Sequence, residues 1–159
     1  MILIKKSANA DSRTATEKVS KETLLANSWQ HIKDVRNALD WMVEQLWEAG
    51  IYHDWTKIEY IDEFYHDFQQ SQDGFQGNFK QEHWFKDLHL KERHHLNDWC
   101  PDDVNMFDVL ERIADCAMAG MARSGDVYNE IPSSEILVKA YQNTIELLIG
   151  QVEVSDENS

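Results

Sequence analysis

Between residues 22 and 49 the apolar side chains Ile32, Val35, Leu39, Met42 and Leu46 recur at steps of three and four. That period lays them along one face of a helix, because the faces of a strand alternate every second residue. Gly50 offers a stop. A similar spacing returns after Pro132, in Ile136, Leu137, Ala140, Tyr141, Thr144, Ile145 and Leu148. Between these two helices, others are predicted over residues 54–70, 79–94 and 104–123. The Gly-containing "SQDGFQGN" makes a loop, and Pro101 breaks the chain. No stretch alternates with period two for long enough to demand a sheet. The 6 Gly and 2 Pro leave little punctuation for a many-turned β fold. The expected fold class is all-α, a single compact domain of about five helices over residues 21–150. A flexible arm over residues 1–20, with room for a short strand at 2–4, precedes it. A disordered acidic tail over 151–159 follows.

The chain carries 29 acidic against 15 basic residues, a net charge of −14. Such a surface repels phosphate backbones and argues against polymeric nucleic acid as a partner. A small phosphorylated substrate stays compatible where a bound metal supplies positive charge. No apolar run approaches membrane-spanning length. The apolar part of "MILIKK" is too short for a signal peptide. A soluble, cytoplasmic protein is expected, with homo-oligomers permitted. Cys100 and Cys116 lack metal-site or redox spacing and read as buried, reduced thiols.

The tripeptide Tyr-His-Asp occurs twice, ending at Asp54 and at Asp67. On a helix, Asp54, Ile58, Ile61, Tyr65 and Phe68 share one face, with Lys57 beside it and His53 near its edge. His66 falls off that face and Asp67 points to the other flank. The second pair therefore reads as surface and the first as inward, where polar groups need partners. His31 lies on the apolar side of the first helix; alone it reads as a hydrogen-bonded core histidine. Asp115 lies beside Ala119 and Ala122, which leave room for a ligand; alone it reads as a surface charge. "LHLKERHHLND" adds His89, His94 and His95, a dense cluster unless it is a solvated loop. Imidazoles with carboxylates suit Mn, Fe, Co, Ni or Zn, with Mg as an alternative, rather than an all-oxygen Ca site. Lys57, one turn beyond His53, suits charge developing on a phosphate.

The order "HIKDV", "HDWTKIEYIDE", "RHHLND" and "DVLERIADC" resembles the HD superfamily of metal-dependent phosphohydrolases, and more closely small phage-encoded HD-like proteins of unknown function. The resemblance covers residues 28–148. It implies an all-α fold with His31, His53, Asp54 and Asp115 as ligands for one or two divalent ions. It matches Lys57 to the HDxxK lysine, and His94 and His95 to a histidine pair. Thr56 stands where the phage proteins usually have Ser, and Cys116 replaces an aromatic residue. The phage proteins often carry further histidines before that pair; here only His83 and His89 lie nearby. The activity implied is hydrolysis of a nucleotide or other small phosphoester, in the host cytoplasm for a phage protein. Asp62 or Glu63 would orient water, unless they are solvated helix charges. The alternative is a catalytically inactive HD-like module that binds a nucleotide or a host protein.

Overall fold

Among the described residues five α-helices carry the chain, and the fold is all-α: α1 (Lys21–Tyr52), α2 (Thr56–Glu59), α3 (Ile61–Gln72), α4 (Met106–Arg123) and α5 (Ser134–Gly150). Two short strands, β1 (Ile2–Lys5) and β2 (Val152–Ser155), pair in parallel with Ile2 opposite Val152. The computed structural model describes residues 1–6, 18–72 and 78–155. Most of the expected arm (7–17), the centre of the glycine loop (73–77) and the last residues (156–159) lie outside the described residues. No described helix is long and apolar enough to cross a membrane.

The chain divides into two compact units, Met1–Gln45 with Ile145–Ser159, and Leu46–Thr144. In the first unit, β2 occupies ground expected to be a disordered tail. Its Val152 and Val154 alternate with polar residues, a period-two pattern too short to stand out. The stripe Ile32, Val35, Leu39 was expected in a core, yet α1 has no buried residue. Among the described residues of that unit, two four-residue strands and the last six residues of α5 accompany α1, and none of them buries the stripe.

The second unit is built around Leu96, Val104, Val109 and Ala140, with Cys100, Met106, Ile136 and Leu137 packed against them. Asn105 caps α4 in a reciprocal box with Asp108, satisfying donors that a helix start leaves open. The Asp108 carboxylate is 5% exposed and also takes two hydrogen bonds of 2.9 Å from the Arg93 guanidinium. Arg93 reaches the Asp103 side chain and carbonyl as well. This bidentate clamp fixes the segment just before His94 to the start of α4. The backbone of 126–128 lies so close to Gly120 that a Cβ there would sit 2.3 Å from the Asp126 carbonyl oxygen.

Three helix boundaries differ from expectation. Gly50 does not stop α1; the chain turns after Tyr52, at Asp54, the residue with a left-handed φ of 54°. The helix expected over 54–70 therefore starts later and is broken at Tyr60. The helix expected over 79–94 is instead a run of short turns: 3₁₀ at Phe79–Gln81, π at Trp84–Leu88, and 3₁₀ at His89–Lys91 and Arg93–His95. Extended residues at Glu82 and Glu92 separate them.

The second Tyr-His-Asp is not simply surface. His66 is exposed, but Asp67 is buried and accepts the Trp84 backbone N–H at 2.9 Å. Being off the apolar stripe did not put it in water, because the turns after α3 fold back over its flank. Trp84, 1% exposed, stacks on Phe64 at 4.0 Å and on His89 at 4.8 Å. Asp67→Ala leaves a buried N–H without an acceptor and is expected to destabilise the protein by about 1–3 kcal/mol in urea unfolding. Asp67→Asn, which keeps an acceptor, is expected to cost less, and His66→Ala about 0.5 kcal/mol or less.

Candidate metal centre

The turn between α1 and α2 displays His53 and Asp54 together. In a helix, adjacent side chains diverge by about 100°; the left-handed Asp54 brings both toward the same interior point. Asp is among the few residues that adopt this conformation at modest cost. The turn closes with the Trp55 N–H on the Tyr52 carbonyl and the Lys57 N–H on the Asp54 carbonyl. On a continuous helix His89 and His95 would point about 120° apart. The extended Glu92 reverses that divergence and brings their Nε2 atoms within 3.2 Å. Leu96, immediately after, is the other non-glycine residue with a left-handed φ, 48°.

Around Asp54 the contacts are dense. His53 Nε2 lies 3.5 Å from Asp54 Oδ2 and 3.8 Å from Asp115 Oδ1. His94 Nε2 lies 3.6 Å, and His89 Nδ1 3.7 Å, from Asp54 Oδ1. Lys57 pairs with Asp54 Oδ2. Behind the histidines, His53 Nδ1 hydrogen-bonds Glu111 Oε1 at 2.9 Å, and His94 Nδ1 approaches the same oxygen at 3.0 Å. Glu92 accepts from the backbone and hydroxyl of Thr56 and faces His89 and His94.

With its Nδ1–H given to Glu111, a neutral His53 points an Nε2 lone pair at two carboxylates. That arrangement needs a proton or a cation between the groups. The carboxylates Asp54, Glu92, Glu111 and Asp115 outnumber the cations Lys57 and Arg112, the latter shared with Glu130, so protonated histidines or a bound ion would offset the excess negative charge. Three overlapping groups can hold a metal ion: His53 with His94 and Glu111, Asp54 with His94 and His95, and Asp54 with His89 and Glu92. Donors around a metal with bonds of about 2.0–2.2 Å lie roughly 3.0–3.4 Å apart. Within each of the three groups the donor atoms lie within 4.8 Å of one another, and mixed N and O donors suit a divalent transition metal.

Of the residues expected to act, His53, Asp54, Lys57, His94, His95 and Asp115 all lie in the second unit around this cluster. His31 lies in the first unit, on an exposed part of α1. His83 is exposed and paired with Asp87. Asp62 and Glu63 are exposed in the first turn of α3, where they complement the helix dipole. His89 is 6% exposed and belongs to the cluster. Glu92 and Glu111 were missed, although Glu111 stands one helical turn before Asp115 and Glu92 two residues before His94. Cys116 is buried, Cys100 half-buried, and neither is in a disulfide.

Two cavities open on the cluster, of about 550 and 460 Å³. Asp54, Lys57, Asp115, Ala119 and Arg123 line both. The larger has aromatic walls from Phe64, Phe68, Phe79 and Phe85; the smaller has aliphatic walls from Leu46, Leu110 and Met118.

Burial, aided by repulsion from His94 and His89, pushes the His95 imidazole down to about 4, so it is neutral near pH 7. The Glu111 hydrogen bond raises His53 despite its burial. Burial raises the Glu111 carboxyl, but hydrogen bonds from His53 and His94 outweigh it and hold it at about 2. For Asp54, burial is likewise outweighed by Lys57 and the histidines, and the net shift is downward. The unfolded chain protonates His95 near 6.5, so its contribution to stability is lost as pH falls from about 6.5 to 4. The contribution of Glu111 is lost at lower pH, between about 4.5 and 2. That of His53 runs the other way, full below its unfolded value of 6.5 and lost as pH rises through its raised folded value. In a histidine NMR titration of the metal-free protein, His95 is expected to titrate below His53, and an inverted order would refute this assignment. Searches of protein-family models, of curated proteins and of solved structures find no match to this chain.

Proposed function

We propose that the chain is a metal-dependent phosphohydrolase acting on a nucleotide or another small phosphoester. The observation that carries this reading is the approach of His53 Nε2 and His94 Nε2 to the two oxygens of the Asp54 carboxylate, with Asp115 beside His53 and Lys57 paired to Asp54. In this reading His94 supplies the second imidazole that the resemblance to HD phosphohydrolases assigns to His31. A divalent ion, when bound there, lowers the pKa of water and polarises a phosphoryl oxygen. Asp54, held below the ordinary carboxylate range, stays ionised and available to bind it. Glu111 keeps His53 oriented through Nδ1, the arrangement that raises ligand basicity at histidine metal sites. Lys57 and Arg123 offer positive charge at the shared rim of both cavities, where the phosphate group would sit. Neutral His95, on the wall of the larger cavity, is suited to hydrogen-bond the substrate rather than to deliver a proton. Either cavity falls in the range of small-molecule sites, roughly 300–1,000 Å³. The groups sharing Asp54 and His94 provide donors for one ion or for two adjacent ions.

The test pairs elemental analysis with a phosphatase and nucleotidase screen in Mn²⁺, Co²⁺, Ni²⁺, Zn²⁺ or Mg²⁺. Wild type is expected to bind metal and turn over a phosphoester, and His53→Ala/Asp54→Ala to do neither. Lys57→Met is expected to retain metal while kcat falls roughly 10²–10³-fold. Metal binding with nucleotide affinity and no turnover would instead indicate a binding module. Absence of both metal and turnover would end the proposal.

A further inference from the structure

Independently of the metal reading, the first unit points to a partner. Among its described residues one apolar side chain, Ile2, is buried, and none along α1. Yet α1 carries Leu25, Ile32, Val35, Leu39 and Met42 at five of the six a and d positions of three heptads between residues 25 and 45. Leu25, Ile32, Val35 and Leu39 are 56%, 40%, 43% and 52% exposed. Ser28, at the sixth position, gives its hydroxyl to the Leu24 carbonyl at 2.8 Å, so it does not offer a free donor to the seam.

Charge is segregated along the same register. Asp34, Asp40 and Glu44, the acids of this stretch, all occupy the outer b, c and f positions. Asp34 is already engaged there by Gln30 at 2.8 Å. The flanking e and g positions hold no carboxylate, and include Arg36 and His31. In a chain of net charge −14, two copies meet general repulsion but find one face free of acid. A seven-residue repeat, apolar at five of six seam positions, suits a helix winding on a helix of matching register, which an identical chain provides. We propose that this stripe of α1 is a self-association surface on which the same stripe of a second copy packs.

Light scattering and sedimentation of the full chain, from about 1 to 100 µM, test this. The expected mass is twice the chain's 18.6 kDa. Leu39→Lys, with helicity checked by circular dichroism, is expected to weaken association at least about a hundredfold. Asp40→Asn, on the outer face, is expected to leave the mass unchanged. Should Leu39→Lys fail to fold, Ser28→Leu fills the remaining seam position and is expected to tighten association about tenfold. A monomer across the range overturns the proposal and leaves the stripe to this chain's own elements or to a different protein. A dimer indifferent to both seam variants overturns it equally, since it would use another surface.

Discussion

At the end of α1 the chain makes a turn that most side chains resist, and the carboxylate of Asp54 is displayed by it. His53, His89 and His94 all approach that carboxylate within 3.5–3.7 Å, and Lys57 pairs with it. A residue held in the left-handed region generally costs energy that its surroundings must offset. Here the offset comes from the charge partners around the side chain. Geometry and electrostatics are therefore coupled at one position. A straight helix through residue 54 would send His53 and Asp54 apart and dissolve the cluster.

The long-range restraints serve the same convergence. Arg93 ties the histidine turn to the capping box of α4, which also carries Glu111 and Asp115. Asp67 fixes Trp84, and Trp84 backs the ring of His89. The cluster thus draws on the turn after α1, on α2, α3 and α4, and on the irregular segment between α3 and α4. Each element reaches it through a buried hydrogen bond, an ion pair or a stacked ring.

The helices were legible where a single physical period dominates. In α5, Ala140 and Thr144 of the expected stripe are buried and Ile136 and Leu137 pack against the core, whereas Tyr141 and Ile145 are exposed. Residues 79–94 were not legible as turns, because their aromatic and histidine content is compatible with a helix and no Gly or Pro marks the breaks. Their path is set by Trp84 burying against Phe64 and by Arg93 reaching Asp108, contacts distant in sequence. His53 and Asp54 stood out because they are adjacent, and His94 and His95 because histidine is scarce. Glu92 and Glu111 did not stand out among 29 acidic residues. Their distinction lies in which imidazole nitrogen each meets, and that is a three-dimensional property. Asp67 shows the limit of a helical-wheel argument, since a residue off the apolar stripe can still be covered by another segment.

The two cavities share one rim but take their walls from different parts of the chain. The aromatic wall comes from α3 and the turns after it, the aliphatic wall from the last turns of α1 and from α4. Phe68 and Met118 line these cavities without being part of the polar cluster. Under the function proposed above, recognition would therefore be modular, because either cavity could be resized by substitution, one wall at a time, while the charged centre stays intact.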